Sequence, residues 1–87
     1  MKIKKGYTVR NVAGSNIVIP TGEKVFDFNG IITLNETALF IWNLLSDDLS
    51  EEEIVNAVSE EYDADETVIK NDVKAFIKKL EDSDLVE

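Results

Sequence analysis

Apolar residues alternate with polar residues in the first third of the chain and recur at helical spacing in the rest. The alternation over 7–12 and the apolar run 17–19 predict two strands, and the turn residues 13–16 between them predict a hairpin. Pro20-Thr21-Gly22 should end the second strand. A further apolar run, Gly30–Leu34, predicts the last strand.

The start of this last strand has two interpretations. Asn29-Gly30 is a common two-residue hairpin turn, so residues 24–28 could form a separate short strand that pairs with 31–34. Alternatively, the last strand simply begins at Gly30. We favour the second interpretation, but the pattern does not decide between them.

A strongly apolar helix is expected directly after the last strand. Apolar residues recur at i, i+3, i+4 and i+7 from Ala38 to Leu45, which predicts a helix over about 36–46. Asn35 is a good N-cap for this helix, so no loop separates strand and helix. Trp42 is expected in the hydrophobic core rather than at a ligand site.

Two more helices have clear starting signals. Ser50 and Glu53 match a capping box, which predicts the start of the second helix. The third helix should run from about Asp65 to about Asp82, with one apolar stripe that faces the core. Residues 85–86 are expected to fold back onto the core.

These elements together predict the fold class. Three strands followed by three helices with short connections are typical of an α+β domain of winged helix-turn-helix type, with a three-stranded antiparallel sheet followed by three helices. A chain of 87 residues is long enough for one such domain, which we expect to span 1–87.

The composition excludes several classes of function. The chain contains no cysteine and no histidine, which removes zinc sites of the usual kinds, the commonest general base and the thiolate nucleophile. We therefore predict that it is not an enzyme and holds no metal or cofactor. It has no apolar run of about 18 residues and no apolar signal segment after MKIKKGY, so we expect a cytoplasmic protein that contacts no membrane.

Charge is distributed unevenly along the chain. Residues 1–34 carry a net charge of +3 and residues 35–87 a net charge of −12, so the whole chain has −9. This charge repels nucleic acid, and we predict no nucleic-acid partner. On the third helix Lys70, Lys74 and Lys78 form a row, which could pair with acids such as Glu66 or could guide the acidic groups of a partner.

The last strand offers a surface for a partner. Natural proteins protect exposed strand edges with charge or proline, and Gly30–Leu34 contains neither. Such an edge can accept a peptide as an additional strand. The edge could instead be covered by the N-terminal segment or by a second copy of the chain.

Four segments of the chain resemble the PqqD family, the small proteins of pyrroloquinoline quinone biosynthesis and their relatives. They are GIITLNETALFIWNLL, SEEEIVNAVSEEYD and DVKAFIKKLEDSDLV, together with VRNVAGSNIVIP, which is similar to the opening hairpin of the family. The resemblance covers nearly the whole chain.

This resemblance implies a function for the predicted edge. Members of the family are RiPP recognition elements, which bind the leader region of a ribosomally synthesised precursor peptide and present it to a modifying enzyme, often a radical SAM enzyme. The leader adds to the third strand and lies against the third helix. The implied peptide-binding residues are Gly30, Ile31, Ile32, Thr33 and Leu34 on the strand and Lys70, Val73, Lys74 and Ile77 on the helix.

Two other functions are compatible with the same fold class. The chain could be a winged-helix DNA-binding protein, although its third helix has no arginine, the residue that most often contacts bases specifically. It could also be a homodimerisation module in which the strand edge pairs with another copy.

Overall fold

The protein is described here from a computed structural model, which covers residues 1–22 and 32–87. The elements are β1 (Tyr7–Val12), β2 (Ser15–Pro20), β3 (Ile32–Leu34), α1 (Glu36–Leu44), α2 (Glu51–Glu61) and α3 (Glu66–Asp82). The predicted order, a three-stranded sheet followed by three helices, is confirmed, and the winged helix-turn-helix description is compatible with it.

Strands β1 and β2 form an antiparallel hairpin with a tight turn. Ala13 and Gly14 have positive φ angles of 52° and 84°, as a two-residue turn that follows the right-handed twist of the strands requires. Ser15 pairs with Val12, so β2 begins earlier than the predicted run 17–19. The turn is therefore shorter than the sequence pattern suggested.

Strand β3 lies beside β2 in the order β1-β2-β3. The two strands are antiparallel, with Val18 opposite Ile32 and Asn16 opposite Leu34. The two interpretations of the start of the last strand concern residues 23–31, which lie outside the described part of the chain.

Side-chain caps set the start of each helix. The Asn35 Oδ1 accepts a hydrogen bond from the backbone N–H of Ala38 at 2.8 Å. Ser50 and Glu53 form the reciprocal capping box of α2, at 3.1 Å in each direction. Asp65 accepts a 2.8 Å bond from a backbone N–H in the first turn of α3. The three predicted starts are confirmed, because each depends only on local sequence.

Helix α1 ends at Leu44, two residues before the predicted end. The backbone N–H of Ser46 bonds to the Asn43 carbonyl at 3.4 Å, which tightens the last turn. The Leu45 carbonyl accepts a 3.0 Å bond from the N–H of Ile3 in the N-terminal segment. The end of α1 thus coincides with a contact to the N-terminal segment, which the periodicity of nearby residues does not reveal.

The hydrophobic core lies between the sheet and the three helices. Trp42 is 8% exposed and Leu85 is fully buried, so both predictions of core positions are confirmed. The residues of this core are Val18, Ile32, Leu34, Ile41, Trp42, Leu45, Ile54, Val55, Val58, Ile69, Val73, Ile77, Leu80 and Leu85.

Candidate functional site

The outer edge of β3 is the first feature of the candidate site. The sheet order places β3 at one side of the sheet, and among residues 1–22 and 32–87 no other strand pairs with its outer edge. Ile32 and Leu34 point into the core, whereas Thr33 is exposed. Within residues 1–22 and 32–87, β3 pairs only with β2, so the backbone groups on its other edge have no strand partner there and can accept a further strand.

The N-terminal segment lies elsewhere. The backbone N–H of Lys4 donates to the Leu85 carbonyl, and that of Glu87 donates to the Lys2 carbonyl, each at 2.8 Å. The Met1 carbonyl accepts a bond from the loop between α1 and α2. The hydrogen bonds of residues 1–4 therefore tie this segment to the C-terminal tail and to that loop rather than to β3.

An open groove runs between β3, the start of α1 and one side of α3. Its volume is about 670 Å³, within the range typical of ligand sites in proteins. Its base includes Leu34 and Ile41, which are 2% and 1% exposed, and Phe76 is half-buried at its wall. The lining residues are Gly14, Ser15, Asn16, Thr33, Leu34, Asn35, Glu36, Thr37, Ala38, Ile41, Asp72, Ala75, Phe76 and Lys79.

Helix α3 contributes one continuous side to this groove, which we call the groove flank: Asp72, Ala75, Phe76 and Lys79. These residues are spaced at i, i+3, i+4 and i+7, so they lie above one another on a single face. The backbone positions of Asp72 and Lys79 are separated by about 10 Å along the helix axis. The flank thus combines an apolar centre with opposite charges at its two ends.

The lysines that the sequence indicated lie on the other side of α3, which we call the lysine flank: Lys70, Lys74 and Lys78. Lys70 and Lys74 line a different cleft, of about 330 Å³, with Glu51 and Glu52 of α2. Lys70 also approaches Glu66 at 3.4 Å. Lys78 pairs with Asp82, four residues further along its own helix, at 3.6 Å.

The two apolar residues expected on the helix side of the site are core residues. Val73 is fully buried and Ile77 is 5% exposed. On a helix with 3.6 residues per turn, Val73 and Ile77 mark the centre of the buried stripe, and the groove flank and the lysine flank lie on opposite sides of that stripe. In this structure α3 therefore meets the groove through residues other than the four the resemblance implied.

On the strand side the outcome is mixed. Thr33 and Leu34 line the groove, whereas the side chain of Ile32 is buried in the core. Gly30 and Ile31 lie outside the described residues. The groove also includes Gly14, Ser15 and Asn16 of the first hairpin, which sequence reasoning did not place near the site. The signal that could have indicated them is the tendency of strands that follow one another in sequence to pair, which places β2 beside β3.

Among the described residues, the carboxyl group of Asp48 has a shifted pKa, and it lies away from the groove. The Asp48 carboxylate accepts a 2.7 Å hydrogen bond from the Met1 ammonium, and this bond with its charge lowers the pKa of Asp48 below its ordinary value of 3.8. Lys2 contributes a smaller lowering. This pair joins the N-terminus to the loop after α1.

In 1–22 and 32–87 there is no group of three or more histidine, cysteine, aspartate or glutamate residues placed to hold a metal ion. Within the same residues, no helix has both the length and the apolar character needed to cross a membrane.

Comparison with known proteins shows first the fold and then the family. Two solved structures share the fold: "TbiB1 in Complex with the TbiA(beta) Leader Peptide", with a TM-score of 0.75 and 24% identity, and "Lasso peptide synthetase B1 complexed with the leader peptide", with a TM-score of 0.71 and 19% identity. The matches cover 100% and 99% of this chain and 95% of each neighbour.

The sequence comparison identifies the family. The family model described as "Coenzyme PQQ synthesis protein D (PqqD)" matches residues 17–86. The chain belongs to the PqqD family, and the resemblance noted from its sequence is confirmed. No curated protein matches the chain at a significant level.

Proposed function

We propose that this protein binds the leader region of a ribosomally synthesised precursor peptide and presents it to a modifying enzyme, without catalysing a reaction itself. The observation that carries this proposal is the outer edge of β3 in a member of the PqqD family, together with a groove that has an apolar base and is lined by Thr33 and Leu34 of the same strand. The two solved neighbours with the same fold are, by their descriptions, bound to leader peptides.

The edge of β3 supports binding by strand addition. Along an antiparallel strand, successive residues direct their N–H and C=O groups to alternate sides. Either Thr33 or its neighbours Ile32 and Leu34 therefore direct these groups away from β2. A peptide strand placed there gains backbone hydrogen bonds of about 0.5–1.5 kcal/mol each, largely independent of its sequence.

The groove supplies the part of the binding that depends on sequence. A peptide side chain that enters it contacts Leu34, Ile41 and Phe76, and full burial of one large apolar side chain is worth about 1.5–3 kcal/mol. Asp72 and Lys79 can each attract a side chain of opposite charge at the two ends of the groove flank. We therefore expect apolar residues in the leader to contribute more affinity than its charged residues.

The proposed contribution to the chemistry is proximity. A peptide held through its leader keeps its remaining residues near the active site of the modifying enzyme, which raises their effective concentration there. A radical SAM enzyme is one partner that the family resemblance implies. The absence of histidine and cysteine from the chain supports a role in presentation rather than catalysis.

Proline substitution tests strand addition. In Ile32→Pro and Thr33→Pro one variant removes an N–H that faces away from β2, and the other removes an N–H that bonds to β2. The probe is a fluorescently labelled candidate precursor peptide, chosen from short reading frames near the gene for this chain, and binding is measured by anisotropy. The variant that keeps its circular dichroism spectrum should lose most of its peptide binding. Undiminished binding by a folded variant whose outward N–H is removed would contradict the proposal.

Presentation is tested separately by mass spectrometry of the same precursor after incubation with its modifying enzyme. Adding this protein should accelerate modification of the full precursor, whereas a precursor without its leader should not respond. Equal turnover with and without the protein would argue against presentation. Modification by the protein alone would show that it is an enzyme.

Sedimentation at several concentrations distinguishes peptide addition from pairing of the edge with a second copy.

A further inference from the structure

A small pocket lies next to the groove, between the end of α2 and the start of α3. Its volume is about 230 Å³. Its floor consists of Val58, Ile69 and Val73, which are 2%, 4% and 0% exposed. Tyr62 and Val68 form part of its rim. We call this the helix-start pocket.

The rim of the helix-start pocket exposes an apolar side chain. Val68 is 51% exposed, and Val12, at 50%, is the other large apolar residue in 1–22 and 32–87 with comparable exposure. A single exposed valine is ordinary on a protein surface. Val68 differs from Val12 because it borders a pocket whose floor is also apolar, so a side chain inserted there is covered on several sides.

The pocket adjoins the groove. Thr37 and Asp72 line both of them. Thr37 is the third residue after the end of β3, because only Asn35 and Glu36 separate it from Leu34. A peptide strand that pairs with β3 and continues past Leu34, along the first turn of α1, therefore comes close to the pocket.

The size and charge of the pocket indicate its occupant. A volume of about 230 Å³ lies below the range of about 300–1,000 Å³ for drug-sized ligands, so it suits one amino-acid side chain. The Tyr62 ring meets Phe40 edge to face, with centroids 5.7 Å apart, which holds one wall in position. Two carboxylates, those of Asp63 and Asp72, border the pocket and favour a positive charge nearby.

We propose that the helix-start pocket binds one aliphatic or aromatic side chain of the leader, located beyond the segment that pairs with β3 and next to a lysine or arginine. This inference rests on the proposed function and deepens it, because it adds a second anchor to strand addition. It divides the leader into a segment bound mainly through its backbone and a side chain bound by shape.

The test uses a display library of random peptides, selected in parallel on the unmodified protein, on Val68→Lys and on Val12→Lys. Val12→Lys is the matched control, because Val12 is equally exposed and does not line the pocket. Peptides enriched on the unmodified protein should bind Val12→Lys equally well and Val68→Lys about tenfold more weakly. Replacing the anchor residue of an enriched peptide by alanine should weaken binding to the unmodified protein by a similar factor, but should have little further effect on Val68→Lys.

The outcomes separate the two proposals. If the unmodified protein enriches no peptide, the proposed function fails. If it enriches peptides that bind Val68→Lys and Val12→Lys equally well, only the helix-start pocket is overturned. The pocket assignment is also overturned if Val68→Lys, without peptide, changes the sedimentation of the protein, because a second copy then covers the pocket. If Val68→Lys does not fold, Ala64→Phe fills the pocket from its exposed rim and replaces it in the test.

Discussion

The two exposed flanks of α3 have different surroundings, although both adjoin the same buried stripe. The groove flank (Asp72, Ala75, Phe76 and Lys79) faces β3 across an open groove with an apolar base. The lysine flank (Lys70, Lys74 and Lys78) lies toward α2, where Glu51 and Glu52 share a cleft with its first two lysines. One flank is open to a peptide strand, whereas the other is largely engaged with charges of the same protein.

This difference shows why a regular row of charges is a weak indication of a binding site. Lys70 and Lys78 approach acids four residues away on α3, at 3.4 Å and 3.6 Å. Exposed pairs of this kind contribute little to stability and satisfy their charges locally. The groove flank has a less regular sequence, but it provides the combination of apolar surface and open volume that peptide binding requires.

The largest expected effect comes from filling the groove. Ala75→Trp places a large ring in the groove at an exposed position, and we expect it to weaken leader binding by about 100-fold, because it excludes at least one buried peptide side chain. Lys74→Trp introduces the same ring at the neighbouring position on the lysine flank and is the matched control. Titration of the labelled precursor measures both. Equal losses in the two variants would show that the flanks do not differ in peptide binding.

A second, smaller effect should act on both flanks together. Asp65 caps the start of α3, and Asp65→Ala should lower the free energy of unfolding by about 1 kcal/mol. Urea denaturation measures this change, with the exposed Asp63→Ala as a control that leaves the cap intact. Because the cap supports the whole helix, the ratio between the effects of Ala75→Trp and Lys74→Trp should stay the same in the Asp65→Ala background. A changed ratio would indicate that the start of α3 affects one flank selectively.

The lysine flank is predicted to act on the rate of association. Replacing Lys70, Lys74 and Lys78 by glutamine should slow the association of an acidic leader by about threefold at low salt and reduce its salt dependence. Exposed charges attract a partner over about 30 Å at 0.01 M salt but only about 10 Å at 0.1 M. The dissociation rate and the stability should change little. Stopped-flow mixing at two salt concentrations measures this. If the association rate and its dependence on salt do not change, the three lysines are only a solvated surface.

The smallest effect is expected at a site remote from both flanks. The Met1 ammonium keeps the pKa of Asp48 below 3.8, so this bond stabilises the folded protein above that pH and is lost as the pH falls through the lowered pKa. Asp48→Asn should therefore lower the melting temperature slightly at pH 7 and make no difference in strong acid. Asp47→Asn is the exposed neighbouring control. Leader binding at pH 7 should be the same for both variants, and a loss in Asp48→Asn would connect the N-terminus to the site.

The fold was largely predictable because its signals are local. The caps at Asn35, Ser50 and Asp65 and the apolar stripes that follow them depend on neighbours within one or two turns, and the structure contains all of them. The end of α1 was predicted two residues too late. The Leu45 carbonyl bonds to Ile3, a residue distant in sequence, and no local pattern reports such a contact.

The candidate site was only half predictable. The run Gly30–Leu34, which contains neither charge nor proline, indicated a strand whose edge is free for a partner, and the described part of that strand, β3, is at the side of the sheet formed by the described strands. The helix side of the site was assigned to Lys70, Val73, Lys74 and Ile77. Their binding of a leader stays a prediction, but the structure buries the two apolar residues and places Lys70 and Lys74 toward α2.

The sequence by itself determined the order of the elements, the starts of the helices and the stripe of α3 that enters the core, because each follows from the chemistry of nearby residues. Only the tertiary structure decided which flank of that stripe faces β3. Helical periodicity is symmetric about the buried stripe, so it does not indicate which of the two flanks contacts a peptide. The choice between them depends on how α3 packs against the sheet and α2, which is a property of contacts between residues far apart in the chain.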